Sequence, residues 1–148
     1  MVNVESQVEP MPVSAELVQR AAQETLVWKG ASGDLTIALG DDVQLRALNR
    51  EFLGIDAATD VLSFPSKETD PDSGEPYLGD VIISVARAQA QAQVAGHTLD
   101  AEMQLLVVHG VLHLLGHDHA MPADKKGMWF AQDEVLKRLG LGGIEVRE

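Results

Sequence analysis

The sequence predicts an α+β domain in which about five helices cover a small mixed four-stranded sheet. Segments with helical periodicity are interspersed with short apolar runs that have the character of strands. Clusters of glycine, proline and acidic residues separate these segments, as turns and loops do. After a short first strand, the order helix, strand, helix, strand, strand and three helices indicates this arrangement.

Four segments have strand character. Leu35 to Leu39 alternates apolar and polar residues, as a half-buried strand does. The run Val81-Ile82-Ile83 is continuously apolar and is typical of a strand buried on both faces. Ser66 to Pro76, which carries acids, prolines and a glycine, is predicted to be a loop. The predicted strands are Val2 to Val8, Leu35 to Leu39, Asp60 to Pro65 and Leu78 to Val85.

The helices are predicted from the spacing of their apolar residues and from their end signals. Ser14 is a suitable N-cap for the first helix. In the second helix, the side expected to be buried carries Val43, Leu45, Leu48 and Phe52. The fourth helix is apolar on nearly every side, which predicts that it is the central, buried one. The predicted helices are Ala15 to Trp28, Asp41 or Asp42 to Gly54, Ser84 or Val85 to Ala95, Leu99 to Leu115, and Asp124 to Leu139.

Length and composition indicate a single domain over residues 1–148, with a hydrophobic content of 45%. No segment approaches the roughly 20 apolar residues of a membrane span, and the N-terminus lacks signal-peptide features, so we expect a cytoplasmic protein without a membrane partner. The absence of cysteine excludes disulfides and thiolate ligands. The net charge of −12 opposes general binding of nucleic acids, so no DNA partner is expected. An RNA contact would need a local basic patch, a metal, or a partner that presents the RNA. The sequence leaves the oligomeric state open.

Residues 109–119, HGVLHLLGHDH, hold four of the five histidines. His109 and His113 are four apart, so on a helix their imidazoles share one face. Gly116 can end the helix in a left-handed turn, which would let His119 fold back as a third ligand. The spacing matches the ligands of the long zinc-binding signature and predicts a zincin-like metal helix that holds one zinc ion. Three ligands leave a position open for water, as catalytic zinc sites do, although imidazole ligation also suits nickel or iron.

Gly110 stands where the zinc protease signature has its catalytic glutamate. The usual general base of those proteases is therefore absent. Glycine inside a helix costs about 1 kcal/mol relative to alanine, which predicts that another element approaches the helix backbone closely there. Of the two residues before His119, we interpret His117 as a solvated turn residue rather than a fourth ligand. Asp118 would orient an imidazole.

Asp80 interrupts the start of a strand and is either a turn acceptor or a group that supports the metal site; nothing local separates these interpretations. Arg46 and Arg50 lie four apart on the second helix and so share a face. They form either a solvated stripe on an acidic protein or a phosphate-binding pair, of which the stripe is the commoner case.

Several segments together carry a family resemblance. They are residues 109–119, the run Thr59-Asp60-Val61-Leu62-Ser63-Phe64-Pro65, the pair Leu48-Asn49, and Leu78-Gly79-Asp80 followed by Ile83-Ser84. In this order they resemble the YbeY family of bacterial endoribonucleases. The resemblance implies a zinc-dependent, single-strand-directed RNA hydrolase that acts in 16S ribosomal RNA 3′ end maturation and ribosome quality control. It also implies contacts with ribosomal RNA and the small ribosomal subunit, and it makes His109, His113 and His119 the zinc ligands.

The chain departs from the family pattern beside this motif. Where family members commonly carry an arginine and, two residues later, a basic residue, this sequence has Leu53 and Ile55. If that arginine handles phosphate, the chain either uses another cation, for which Arg46, Arg50 and Arg87 are candidates, or works poorly. His117 likewise replaces the tyrosine that is usual in the family's turn, which argues against a ligand role for it.

Hydrolysis of RNA would need an activated water, which the metal could supply, and a group that relays its proton. Asp118 and Asp80 are the candidates for this relay. Two other functions compete with this hypothesis. A zinc peptidase would use the same ligands, but Gly110 stands where such an enzyme needs its catalytic glutamate. A non-enzymatic ribosome-assembly factor would use its zinc to stabilise the fold.

Overall fold

The computed structural model describes residues 1–116 and 122–142, and within them it contains four strands and five helices in the predicted order. The helices and strands, labelled in chain order, are β1 (Val2–Ser6), α1 (Ala15–Lys29), β2 (Asp34–Gly40), α2 (Asp42–Leu53), β3 (Val61–Pro65), β4 (Tyr77–Ser84), α3 (Val85–Ala95), α4 (Leu99–Leu114) and α5 (Pro122–Arg138).

The four strands form one mixed sheet in the order β1-β2-β4-β3. The strands β1, β2 and β4 are parallel, and β3 pairs antiparallel with β4 at the edge of the sheet. The predicted mixed four-stranded sheet is confirmed. No helix in the described part of the chain is long and apolar enough to cross a membrane.

The sheet buries its two faces against different helices. Alternate residues of β2 and β4, such as Ile37 and Val81, join the main core with α1, α4 and α5. The intervening residues face the other way, where Ile82 and Leu62 pack against Leu45 of α2 in a smaller cluster. This alternation follows from the two-residue period of a strand, and it decides below which residues can reach the candidate site.

The helix α4 lies at the centre of the fold and contacts β3, β4, α1, α3 and α5. Its side chains are buried on nearly every side, which confirms the prediction from its apolar composition. The hydroxyl of Thr98 accepts the backbone N–H of Ala101 and caps its first turn. At the other end Gly116 has a φ of 96°, which confirms the predicted left-handed turn.

Helix α2 is less buried than its pattern predicts. Leu45 is fully buried and Leu48 half-buried, but 77% of Val43 and 60% of Phe52 are exposed. Val43 lies about 200° around the helix from Leu45 and so faces solvent. Phe52 lies in the last turn, where its ring meets the edge of Phe64 on the outermost strand β3 instead of a closed core. The prediction was therefore wrong for Val43 and Phe52.

Gly110 explains how α4 lies so close to the sheet. A Cβ atom on Gly110 would come within 2.5 Å of Cγ1 of Val81 and 3.3 Å of Cγ2 of Val61. The hydroxyl of Ser63 on β3 donates a 2.9 Å hydrogen bond to the carbonyl of Gly110. The predicted close approach is confirmed, because two valines and a serine of the sheet reach the helix backbone at this residue.

We expect Gly110→Ala to lower the free energy of unfolding by about 1–3 kcal/mol, because the added methyl overpacks the buried Val81 side chain. The matched control is Gly127→Ala in α5, where a Cβ meets no described atom within 4 Å. There alanine should stabilise by up to about 1 kcal/mol through helix propensity alone. Urea denaturation of both variants measures the difference. Equal effects of the two substitutions would contradict the close packing at Gly110.

Candidate functional site

A cleft of about 630 Å³ is lined by residues of α4 and of the edge strand β3. One wall is the face of α4 that carries His109 and His113, and the opposite wall is formed by β3 and the residues that precede it. Leu53 of α2, Gln91 of α3 and Gln132 of α5 also line the cleft. All five of these elements contribute to a wall in which apolar side chains are mixed with polar and titratable ones.

His109 and His113 stand side by side in the wall of the cleft. They lie one helical turn apart, and their ring centroids are 4.8 Å apart with an angle of 63° between the ring planes. Both side chains are half-buried. The structure therefore brings together the two histidines that the sequence predicts on one helix face.

Gln132 of α5 holds His109 in one orientation. Its Oε1 atom lies 2.8 Å from Nδ1 of His109. An amide oxygen can only accept, so Nδ1 carries the proton and donates it, and the lone pair of the imidazole is on Nε2. Histidines that bind metals usually have their second ring nitrogen held in this way. The side chain of Gln132 is 1% exposed, so the orientation is fixed from inside the protein.

Gln132 is not among the site residues that the sequence predicts, although its position in the sequence carries a signal. It lies four residues after Met128 and four before Leu136, on the face of α5 that is buried in the core. A polar residue on an apolar face needs a partner, because an unpaired buried amide costs about 1–3 kcal/mol. The partner lies 23 residues away in the chain, so only the tertiary structure identifies it.

The donor groups suit a divalent ion of the zinc type, since two imidazoles are presented from one helix and one of them is held by a hydrogen bond to Gln132. The buried Nε2 of Gln132 meets no hydrogen-bond partner in the described residues, and groups left in this state concentrate at functional sites. Residues 1–116 and 122–142 do not include a set of three acidic or histidine side chains that could hold a metal. The predicted third ligand His119 lies outside the described residues, as do His117 and Asp118.

Asp60 is the one carboxylate among the described residues that line the cleft. It directly precedes β3, and its Oδ2 accepts a 3.2 Å hydrogen bond from Nε2 of Gln91. The backbone carbonyl of Asp60 accepts the N–H of Ser84, so the residue is tied to the sheet. Asp60 belongs to the motif of the family resemblance, but no role was predicted for it from the sequence.

The comparison with known proteins decides the family. A family model described as Endoribonuclease YbeY matches residues 3–140, nearly the whole chain. The chain belongs to the YbeY family of endoribonucleases. Among its YbeY relatives, the Endoribonuclease YbeY of Pelotomaculum thermopropionicum is 45% identical over 130 residues, which cover 84% of this chain and 86% of the relative. The Endoribonuclease YbeY of Roseiflexus sp. is 42% identical over 141 residues, covering 90% of this chain and 88% of the relative.

The fold has a solved counterpart. The solution structure of the protein TM1509 from Thermotoga maritima superposes with a TM-score of 0.60 and covers 100% of this chain and 97% of that one. The two sequences are 20% identical, so this likeness concerns the fold. It agrees with the α+β architecture that the sequence predicts.

Asp80 does not reach the cleft in this YbeY family member. Its neighbour Val81 faces Gly110 of α4, and a strand alternates its side chains, so Asp80 lies on the opposite face of the sheet. There its Oδ1 accepts a hydrogen bond from the hydroxyl of Tyr77 at 2.5 Å, and the same hydroxyl lies 2.7 Å from Oγ1 of Thr36. The prediction of Asp80 as a proton relay at the metal was therefore wrong, because the register of β4 points it away from the histidines.

Burial and the hydrogen bond to Asp80 raise the pKa of Tyr77 to about 12. Tyr77 is the only tyrosine of the chain, so the absorbance of phenolate against pH reports this group alone. We expect a midpoint near pH 12 in the folded protein and near the ordinary value of 10.0 in denaturant. Since the unfolded state loses its proton first, stability should fall as pH rises from about 10 to about 12.

Asp80→Asn is the control for this titration. It should move the midpoint downward while leaving it above the ordinary value, because burial is the larger cause of the raised pKa. A single midpoint near pH 10 for folded wild-type protein would contradict the hydrogen-bonded site described here.

The three arginines that the sequence suggests as phosphate ligands do not line the cleft. Arg46 is paired with Asp56, with Nε 2.8 Å from Oδ1 and a terminal nitrogen 3.2 Å from Oδ2. Arg87 is paired with Asp42 at 3.3 Å. Arg50 is exposed on α2. Their arrangement favours the interpretation as exposed, solvated surface.

At the two positions where the chain departs from the YbeY pattern, Leu53 and Ile55, only Leu53 is among the residues that line the cleft. Both side chains are largely exposed. The preceding helix is tied to the following loop through Asn49, whose buried amide donates a 3.0 Å hydrogen bond to the carbonyl of Ala57. This hydrogen bond fixes the loop between Ile55 and Thr59, and Thr59 is one of the residues that line the cleft.

Proposed function

We propose that this YbeY endoribonuclease hydrolyses single-stranded RNA with one zinc ion, held by His109, His113 and His119. Membership of the family supports the endoribonuclease activity itself. The observation that supports the metal is the pair of imidazoles in the cleft wall, one of which has its tautomer fixed by Gln132. His119 completes the ligand set by its spacing after the Gly116 turn.

The reaction breaks the bond between phosphorus and one ester oxygen and replaces it with a bond to the oxygen of water; the water gives up a proton, and the departing oxygen takes up a proton and leaves as a hydroxyl. A zinc ion would supply Lewis-acid stabilisation of the phosphate charge and acidify the water that attacks. His109 and His113 would hold the ion, and Gln132 would keep His109 in the tautomer that can bind. Asp60 is the described carboxylate in the cleft and is our candidate to accept the proton of the water, with Asp118 as the alternative.

We further propose that the substrate is the precursor of 16S ribosomal RNA near its 3′ end, presented on the small ribosomal subunit in the cytoplasm. The acidic chain, with a net charge of −12, supports presentation by a partner, because free RNA is repelled by such a surface. Binding of RNA that is already held in place would not depend on long-range attraction.

The peptidase alternative is disfavoured by Gly110. Glutamate at that position would need space that Val81 and Val61 occupy, so the fold excludes the general base of the zinc proteases at its usual place. The assembly-factor alternative makes a different physical prediction, namely that removing the metal unfolds the protein.

The experiment that separates these functions incubates purified protein with single-stranded RNA, the same RNA annealed to its complement, and a peptide library. We expect cleavage of the single strand alone, lost on chelation while the circular dichroism spectrum stays unchanged. Cleavage of peptides would support the peptidase. Unfolding on chelation, with no RNA cleavage before it, would support a zinc ion that serves the fold.

A further inference from the structure

One side of the strand β3 has no neighbouring strand. β3 is the last strand of the sheet and pairs with β4 on its other side. In the described part of the chain, no other strand or loop forms backbone hydrogen bonds with this open side. The last strand of a sheet presents a row of unpaired backbone N–H and C=O groups, which another molecule can bind.

The register of β3 decides which of its backbone groups face outward. At one end of the strand the carbonyl of Asp60 accepts the N–H of Ser84 at 2.8 Å, and at the other end the N–H of Ser66 donates to the carbonyl of Leu78 at 2.9 Å. In an antiparallel pair, residues that are bonded to the partner strand alternate with residues that are not. The even-numbered residues are therefore bonded to β4, and the backbone groups of residues 61, 63 and 65 point outward.

The outward backbone groups of Val61, Ser63 and Pro65 are called the β3 edge here. Val61 and Ser63 each present an N–H and a C=O, whereas Pro65 presents only a C=O. Proline within a sheet is found on outer strands, at positions where an N–H would face away from the neighbouring strand. The position of Pro65 therefore agrees with the register that the hydrogen bonds define.

The β3 edge faces the cleft beside the histidines. The cleft is lined by the consecutive residues 59–63 and by Pro65. A strand that showed only one face would contribute alternate residues, so β3 presents its edge to the cleft. The hydroxyl of Ser63 is bonded at 2.9 Å to the carbonyl of Gly110, which follows His109 in α4, and Val61 packs against the same glycine. The β3 edge therefore runs alongside the helix that carries the histidines.

Unpaired N–H groups at this place are suitable donors to phosphate. Backbone N–H groups are among the usual donors to phosphate oxygens in complexes of proteins with nucleic acids. None of the described residues that line the cleft is a lysine or an arginine. A phosphate in the cleft would therefore be held by uncharged donors, together with any bound ion.

We propose that the β3 edge binds the backbone of the substrate strand, with the N–H groups of Val61 and Ser63 donating to phosphate oxygens. This inference rests on the proposed function and names the groups that hold the RNA beside the histidines. Two residues advance about 6.6 Å along a strand, so the two N–H groups contact successive parts of an extended RNA strand. Val61 and Ser63 are thus substrate-binding residues that act through their backbone.

The test measures the binding of a short fluorescent single-stranded RNA to the full chain by anisotropy, before and after chelation. Ser63→Pro and Ser63→Ala both lose the hydroxyl that is bonded to Gly110, but only proline also removes the N–H. We expect Ser63→Pro to bind about tenfold more weakly than Ser63→Ala, as for the loss of one hydrogen bond to a charged group. The strand should tolerate this proline, because the N–H of Ser63 is not bonded to β4.

The matched control places proline on the other outer strand of the sheet. Met1 and Gln7, on either side of β1, are bonded to β2 through their backbone. The N–H of Val4 has the opposite phase and points outward, and Val4 is not among the described residues that line the cleft. Val4→Pro should therefore bind RNA like wild type. Circular dichroism verifies that each variant is folded.

A second variant separates the loss of the N–H from the added bulk of the proline ring. A synthetic chain with an ester in place of the peptide bond between Leu62 and Ser63 lacks this N–H and gains no atoms in the cleft. It should bind the RNA about tenfold more weakly than wild type. In RNA that carries one uncharged methylphosphonate, placed at each position in turn, this difference should disappear at the position that Ser63 contacts.

Equal affinity of the ester chain and of wild type would overturn the proposal, and it would do so even if Ser63→Pro failed to fold. The β3 edge would then be left for a strand of a protein partner. These binding results are independent of cleavage. If the ester chain bound normally while wild type cleaved RNA, the assignment of the β3 edge would fail and the endoribonuclease would stand. If the ester weakened binding but wild type never cleaved RNA, the proposed catalysis would fail instead.

Discussion

His113→Ala should abolish RNA cleavage, with a loss of about 10³-fold or more, because it removes one of the imidazoles that hold the ion on which activation of water depends. The side chain is half-buried and lies at the cleft surface, so the fold should survive. Zinc content measured on the purified variant should fall together with the cleavage rate, while the circular dichroism spectrum remains that of the wild type.

The matched control removes a histidine outside the cleft. His97 precedes α4 and pairs with the buried Glu102 at 2.6 Å. His97→Gln should therefore change the melting temperature and leave zinc content and cleavage per folded molecule as they are. If His113→Ala retained both zinc and activity, or if His97→Gln lost zinc to the same extent, the cleft would not be the metal centre.

Gln132→Leu should weaken zinc affinity by about 10–100-fold, the usual effect of removing a residue that orients a histidine ligand. Leucine has a similar volume but no acceptor for the Nδ1 proton of His109, so the imidazole loses its fixed tautomer and orientation. The same substitution also removes the buried Nε2 that has no partner in the described residues. Stability should therefore change little while zinc affinity falls, and competition with a chelator measures that affinity.

Gln132→Glu tests whether the acceptor is the functional feature. A carboxylate keeps an oxygen for the Nδ1 proton, so Gln132→Glu should hold zinc within a few-fold of the wild type, at a cost in melting temperature for the metal-free protein because a charge is buried. If Gln132 had a purely structural role, Gln132→Leu and Gln132→Glu would both lower the stability and would leave the zinc affinity unchanged.

The elements of the fold were predictable because each carries its own periodicity and end signals. Ser14 and Asp41 cap α1 and α2 as their side-chain chemistry suggests, and Gly54 ends α2 in a left-handed conformation. The first two histidines were predictable for the same reason, since a spacing of four on a helix is a local property.

The parts of the site that the sequence did not reveal depend on contacts between distant segments. Gln132 acquires its role from a helix that packs against α4, and Asp60 rather than Asp80 enters the cleft because of the register of the edge strand against β4. A shift of one residue in a strand exchanges the faces of all its side chains, and the sequence of β4 alone does not define which face meets α4. Phe52 is exposed because α2 ends over the edge of the sheet, and edge position is also a property of topology.

Gly110 could be predicted in part from the sequence and in part only from the structure. Its presence in a helix is a local anomaly that signals a close contact, but only the structure identifies Val81 and Val61 as the contacting groups. The same contact that seats α4 on the sheet, together with the bond from Ser63, sets the distance between the histidine wall and β3. The glycine that excludes the protease base is thus also the residue that shapes the cleft.

The most direct test returns zinc in small steps to chelated, folded protein and measures bound metal and RNA cleavage on the same samples, using RNA held on small ribosomal subunits. We expect cleavage to be absent without metal, to rise in proportion to bound zinc and to saturate when each chain holds a single ion. Full cleavage by metal-free protein, or cleavage that stays absent when the zinc is bound again, would contradict this expectation.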